Sequence, residues 1–289
     1  VFTATKGLFE EFGPKRVRDT PISEEAILGA AMGAAMTGMR PVAEIMFSDF
    51  LATCWDIVSV EIAKTRYMTD GQFTMPLVIR TANGAGLRFG AQHSQAVENW
   101  AMMIPGLKVV APSNPHDVVG LLAASIRDPD PVLFFEQKSL YPTKGMVETD
   151  KEIIEELGVA KIVRPGSDVT IVTLASTVQK ALDAADLLME DGIDAEVIDL
   201  RTLVPLDTRT VLESVGRTTR FVTVEENPRL CGWGAELVSI VGEEAFWNLD
   251  APLTRITTPH IPLPSADVLE DIVLPSVERI HETVRKVCS

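Results

Sequence analysis

A chain of 289 residues with 46% hydrophobic side chains can bury a substantial core and is more naturally two domains than one. Its 41 acidic against 26 basic residues give a formal charge of -15 and no basic stripe to track phosphates, which argues against a nucleic-acid partner. The three cysteines, Cys54, Cys231 and Cys288, lack CxxC or Cys/His spacing, so neither a disulfide framework nor a zinc site is indicated, and a reducing cytoplasm is expected.

In chain order, the first strong signal is the uncharged run Ala26 to Met39, mostly Ala, Gly and Met. It is shorter than the ~20 residues of a bilayer span and reads as a buried helix, capped by Thr20 or Ser23, with no membrane role. From Pro76 the pattern becomes regular. "PLVIRT" is a short apolar strand, a small-residue loop follows from Ala82, "AVENWAMM" is helical and "LKVVAP" is a strand again. "SNPHDVVGLLAASIRD" is a helix with Ser113 or Asn114 as N-cap and Pro115 in the first turn, leading into the strand "PVLFFE". Residues 137 to 167 break this rhythm with Pro, Gly and many charges, and are expected to be a linker. The alternation then resumes with "DVTIVTL", a helix capped by Ser176 or Thr177 and stopped at Gly192, "DAEVIDL", "DTRTVLESVG", "RFVTVEE", a helix from about Gly234, and "PLTRIT". Strand and helix in alternation imply an α/β chain of two domains, residues 1–150 and 151–289, each with a mostly parallel sheet flanked by helices. The chain begins at Val1 without a basic, apolar or cleavage pattern, so no targeting segment is expected.

The usual self-sufficient sites are absent: no GxGxxG after a strand, no GxxxxGK[ST], no GxSxG, HExxH or EF-hand loop. In "CGWGAE" two glycines open a helix that could receive an anion, but without a third glycine or a lysine close helix packing after a strand is the favoured reading. Two further places carry candidate chemistry. Glu24 lies in the first turn of the small-residue helix, where an acid also compensates the helix dipole. His93 follows the "PLVIRT" strand, and loops at the carboxyl ends of parallel strands line ligand crevices, although a histidine there can also be purely structural.

Together, "FGPKRVRDTPISEEAILGAAMGAAMTGMRPVAEIMFSDF", "EIAKTRYMTDGQ", "GAQHSQAVENWAMMIPGLKVVAPSNPHDVVGLLAASIRDPDPVLFFE" and "VIDLRTLVPLD" resemble, in order and spacing, the beta subunit of thiamine-diphosphate-dependent E1 components. These serve 2-oxoacid and acetoin dehydrogenase complexes. The resemblance implies a pyrimidine-binding domain followed by a transketolase C-terminal-like domain. It places the cofactor-activating glutamate at Glu24, an aromatic against the aminopyrimidine at Phe50, and the histidine near the reacting carbon at His93, with Gln92 and Ser94 orienting it. Such a glutamate must hold a proton near neutral pH, which apolar burial favours and a helix start opposes; desolvation is expected to prevail. Leu77, Ser125, Asp128 and Asp130 align with a potassium-binding loop in which backbone oxygens do much of the coordination.

The GDG motif that holds Mg2+ and the diphosphate is absent here and belongs to the alpha subunit, so the resemblance implies an alpha2beta2 heterotetramer and silence of this chain alone. It also implies docking to an E2 acyltransferase with its lipoyl domain, and about thirty further residues ahead of "KGLFEEFG". "NGAGLRFGAQ" departs from the small-residue style of pyruvate-type subunits, and with "FFEQKSLY" it leans toward acetoin or branched-chain types, with Arg88 and Phe89 as candidates for substrate choice, although Arg88 can equally be a surface charge. Two other readings stand beside this one: a non-catalytic module that docks E2 or a partner chain, and a piece of a transketolase-like or deoxyxylulose-phosphate-synthase-like enzyme.

Overall fold

The computed structural model describes residues 3–148 and 150–289. The amino-terminal half opens with a short helix, α1 (Leu8–Phe12), then α2 (Glu24–Met36) and the strand β1 (Val42–Phe47), which runs into a 3-10 segment, Ser48–Cys54, and a π-helical segment, Ile57–Ile62. After α3 (Thr65–Met68) come β2 (Val78–Asn83), α4 (Glu98–Met102), β3 (Lys108–Val110), α5 (Pro115–Arg127) and β4 (Val132–Gln137). The second half contains β5 (Lys161–Arg164), β6 (Val169–Thr173), α6 (Thr177–Glu190), β7 (Ala195–Asp199), β8 (Thr202–Val204), α7 (Thr208–Thr218) and β9 (Phe221–Pro228). It ends with α8 (Gly234–Glu244), β10 (Thr254–Thr258), α9 (Asp267–Val273) and α10 (Val277–Cys288).

The strands form two five-stranded sheets, ordered β1-β2-β4-β3-β8, with four strands from the first half and β8 from the second, and β10-β9-β6-β7-β5, all from the second half. Pairing is parallel except at the edges formed by β8 and β5. In the first sheet Val78 of β2 pairs with Val42 of β1 and with Val132 of β4, which aligns the carboxyl ends of the three strands. Strands covered on both faces need apolar side chains at successive positions. Val132, Leu133, Phe134 and Phe135 of β4 are all buried, as is every residue of β6. Burying a phenylalanine such as Phe134 stabilises the fold by roughly 1.5–3 kcal/mol. The helices pack by one stripe: α6 buries Val178, Ala181, Ala185 and Leu188, about one turn apart.

Local chemistry sets the boundaries. Asn114 is the N-cap of α5, its side chain accepting from the Asp117 amide, so of the two candidates Ser113 is not the cap. Ser113 instead donates to Asp199, at 2.5 Å. Ser23 occupies the cap position of α2 but makes no capping hydrogen bond. Gly192, with φ +81°, stops α6 in the left-handed region that a Cβ disfavours.

Two expectations are corrected, and one strand crosses between the halves. The Ala26 to Met39 helix is one-sided: only Leu28 and Ala35 of α2 are buried, because the helix lies beside the edge strand β1 and has the rest of the chain on one flank only. Residues 137–167 are not a plain linker, since β4 extends to Gln137 and β5 pairs antiparallel with β7. None of the residues Lys-Ile-Val-Arg of β5 is fully buried, which suits an edge strand flanked by charges. Finally, β8 crosses to the first sheet, where Val204 pairs with Val109.

Candidate active site

The loops after β1, β2 and β4 emerge side by side at the carboxyl end of the first sheet, where open α/β sheets receive ligands. The β1 loop carries Phe50, the β2 loop carries His93 and β4 is followed directly by Lys138. Their side chains converge. The His93 ring stands edge-on to Phe47 and to Phe50, each with ring centroids 5.3 Å apart, and Phe89 meets Phe47 at 5.8 Å. Perpendicular aromatic contacts of this kind fix ring orientation as well as burying area.

Lys138, 1% exposed, lies under this cluster. Its Nζ donates to the His93 carbonyl at 2.8 Å and stands 5.2 Å from the centre of the Phe47 ring. Burial pulls its ammonium down to about 8, opposed by Asp49, Glu226, Glu270 and Glu98. Asp49, on the same segment as Phe50, accepts from the Gln95 side-chain amide at 2.8 Å and so ties the two loops together. Behind the loop, Asn83 donates to Glu98 at 2.7 Å and Asn227 of β9 donates to the other Glu98 oxygen at 3.2 Å. Burial pushes Glu98 up to about 7, helped by the neighbouring Glu226 and opposed by its hydrogen bonds.

Phe50 and His93 are thus brought together, while Glu24 is placed alongside. It begins α2, which packs on the Phe50 segment, and its charge, after burial, helps push the Cys54 thiol up to about 12. Glu24 and Phe50 are half-buried and Gln92 is exposed, so this chain alone does not enclose the acid. Ser94 is buried and its hydroxyl lacks a hydrogen-bond partner. A cleft of about 830 Å³ lies elsewhere, lined by residues that include Tyr67, Gly106 and Pro205 but none of Glu24, Phe50 or His93. The candidate residues are therefore not part of that cleft. Next to Glu24, Ile22 is 79% exposed, and near the carboxyl end of β1 Met46 is 47% exposed, apolar surface of the kind that a partner covers.

The remaining candidates lie apart from His93. In the loop of Leu77, Ser125, Asp128 and Asp130, Arg40 donates to the Asp128 carbonyl at 3.1 Å and Lys108 meets the Asp128 carboxylate at 2.5 Å. The Leu77 carbonyl accepts from Val132 and the Ser125 hydroxyl donates to Leu121. The glycines of "CGWGAE" receive a group of the chain itself: the Gly234 amide donates to Glu225 at 2.9 Å, and a Cβ on Gly234 would lie 2.6 Å from that carboxylate. This is helix packing rather than an anion site. Arg88 bonds Asp267 at 3.0 Å and Asp271 at 2.7 Å on α9, so its charge is directed to the second half of the chain.

Lys138, Asp49, Glu98 and Asn227 were not singled out by the sequence. A lysine directly after the apolar strand "PVLFFEQ" was the one available signal, since a charge at the carboxyl end of a buried strand must either find partners or face a site. Among the described residues no helix is long and apolar enough to cross a membrane.

Residues 1–144 match the family described as transketolase, pyrimidine binding domain, and residues 158–280 match transketolase, C-terminal domain. The chain is 50% identical over 281 residues to the acetoin:2,6-dichlorophenolindophenol oxidoreductase subunit beta of Bacillus subtilis, covering 97% of this chain and 82% of that one. It is 48% identical over 289 residues to the pyruvate dehydrogenase E1 component subunit beta of Rickettsia felis, covering 99% and 88%. A solved split-gene transketolase, an inactive beta4 tetramer, shares the fold at a TM-score of 0.78 and 23% identity, over 99% of this chain and 88% of that one. With two transketolase-type domains in the order of those relatives and nearly half of its residues in common with them, the chain belongs to the family of E1 beta subunits of pyruvate and acetoin dehydrogenases.

Proposed function

We propose that this chain contributes the aminopyrimidine side of a thiamine-diphosphate site in a dehydrogenase E1 component that acts on a small 2-oxoacid or on acetoin. The observation that carries the reading is the convergence of Phe50 and His93 at 5.3 Å, on the strand ends beside the start of α2. A carboxylate, an aromatic ring and an imidazole suit a flat, protonatable heterocycle next to a reacting carbon. They do not suit a diphosphate with Mg2+. Among the described residues, the one group of potential metal ligands, His116, Asp117 and Glu155, is already occupied by Arg201, which meets the two carboxylates at 3.4 and 2.6 Å. Mg2+ and the diphosphate are therefore assigned to an alpha subunit, in an alpha2beta2 assembly, which also covers the exposed flank of α2.

When bound, the cofactor supplies the nucleophilic carbon at which the substrate's carbon–carbon bond is broken. The protein's contribution is orientation and proton handling. Phe50 offers a ring for stacking and Glu24 a carboxyl group for the aminopyrimidine, once the partner has shut out water. His93, its backbone fixed by Lys138, can donate to a developing oxyanion and move a proton as the acyl unit leaves for the lipoyl arm of an E2 acyltransferase. Gln92 lies on the exposed side, where an incoming arm would pass. The reading extends to a potassium ion on the oxygens of Leu77, Ser125, Asp128 and Asp130; the carbonyls of Leu77, Ser125 and Asp128 each keep a second lone pair beside a protein partner. Its effect is on stability, and replacing sodium by potassium is expected to raise the melting temperature. The relatives act in bacterial cells and in plant mitochondria; for this chain a cytoplasmic setting is proposed.

The test is co-expression with an alpha subunit, followed by assay with thiamine diphosphate, Mg2+ and an artificial electron acceptor against pyruvate, branched 2-oxoacids, 2-oxoglutarate and acetoin. Glu24→Gln is expected to lower kcat by about 100-fold or more, the scale of lost acid–base catalysis, while assembly is retained. Turnover at the unsubstituted rate would end the assignment.

A further inference from the structure

The loop that carries His93 is not held by its own sheet alone. The amide of Ala85 donates to Glu226 and that of Gly86 to Glu270, both from the second half of the chain. Arg88 then turns into the left-handed region, φ +63°, a conformation that a side chain adopts only when its surroundings hold it there. What holds it is α9. The guanidinium meets Asp267 at 3.0 Å, Glu270 at 3.4 Å and Asp271 at 2.7 Å. Asp267 and Asp271 are 79% and 64% exposed, and surface pairs of that kind contribute little alone. Glu270 is different, being 0% exposed with one oxygen that lacks a hydrogen-bond partner. A fully buried carboxylate needs a counter-charge, and Arg88 is the arginine beside it. The next residue, Phe89, closes on Phe47, whose ring stands against His93.

We infer that Arg88 is a positioning residue: gripped by the acidic face of α9, it fixes the 84–95 loop so that Phe89 and His93 hold their places on Phe47 and Phe50. The second half of the chain thereby sets the geometry of a site built on the first. This rests on the reading of His93 as part of the reaction site. Arg88 itself touches no substrate in this role. A planar, forked cation facing three carboxylates is not equivalent to a lysine, which gives one point charge on a flexible stem.

The test uses the chain co-purified with its partner subunit and compares Arg88→Ala, Arg88→Lys and Asp271→Asn with the unsubstituted protein. Amide hydrogen exchange across residues 84–97 and steady-state turnover of pyruvate and acetoin are both measured. Arg88→Ala is expected to speed exchange in that loop by about tenfold. It is also expected to lower kcat by about tenfold, with KM changed by less than about twofold, since a displaced catalytic group affects the transition state more than substrate capture. Arg88→Lys is expected to recover part of both losses, and Asp271→Asn, a surface change that leaves Glu270 paired, to show a small shift of the same sign. Unchanged exchange in Arg88→Ala overturns the latch, whatever the activity. Faster exchange with unchanged kcat leaves the latch in place and overturns the placement of His93 at the reacting centre, and with it the positioning role.

Discussion

Replacing Glu98 by Gln removes a carboxylate that the fold holds at 4% exposure directly behind the His93 loop. Burial raises this group from 4.5 to about 7, with Glu226 adding to the rise and Asn227 and Asn83 opposing it. The folded state therefore binds the proton more tightly than the unfolded chain. The stability that this group contributes is complete below its unfolded value of 4.5 and is lost as pH rises through about 7. At about 1.4 kcal/mol per pH unit, the loss between about pH 5.5 and about pH 8 is roughly 2 kcal/mol.

Glutamine imitates the neutral acid and does not titrate. It faces the donors of Asn83 and Asn227 with one amide group of its own, a pH-independent cost of about 1 kcal/mol. Asn227 softens that cost because it also donates to the Ala96 carbonyl at 2.8 Å. Urea unfolding at several pH values should therefore show Glu98→Gln slightly less stable than the unsubstituted chain at the acid end, with the order reversed at the alkaline end. Asp199 is also raised to about 7 by burial, so a slope in the unsubstituted protein alone decides nothing. The difference between the two proteins isolates Glu98. A difference that stays constant with pH would refute the reasoning, because it would show that the carboxylate does not titrate in this window.

Lys138→Met is expected to reduce turnover of the assembled enzyme, because the His93 carbonyl loses its ammonium donor. With Lys138 lowered to about 8, the alkaline limb of the pH–rate profile is expected near that value and to vanish in the variant. The same depressed group adds stability as pH rises from about 8 to 10.5, since the unfolded chain then keeps a proton that the fold has released; denaturation of both proteins across that range checks the sign. Gly106→Ala should be severely destabilising, by about 3 kcal/mol or more, since φ is +104° and a Cβ would lie 2.0 Å from the Ala63 carbonyl oxygen. A melting temperature within a degree or two of the unsubstituted chain would contradict that geometry.

Sequence alone determined the layered architecture, because buried parallel strands such as "PVLFFE" and "DVTIVTL" and one-sided helices leave periodic marks on local residues. It also singled out His93 and Glu24, through position after a strand and resemblance of the surrounding motifs. What it could not show was side-chain direction across long separations. Arg88 read as a charge at the mouth of a site, and only the docking of α9, some 180 positions later in the chain, turns it toward carboxylates. Lys138, Glu98 and Asn227 carried no motif, since a buried polar group is defined by its partners, and those of Glu98 come from β2 and β9 at separations of 15 and 129 residues. The helix from Ala26 read as buried because its composition is apolar; the tertiary structure left one flank bare. Composition reports that a surface must be covered, and only the packing of the whole chain decides whether the cover comes from within or from another molecule.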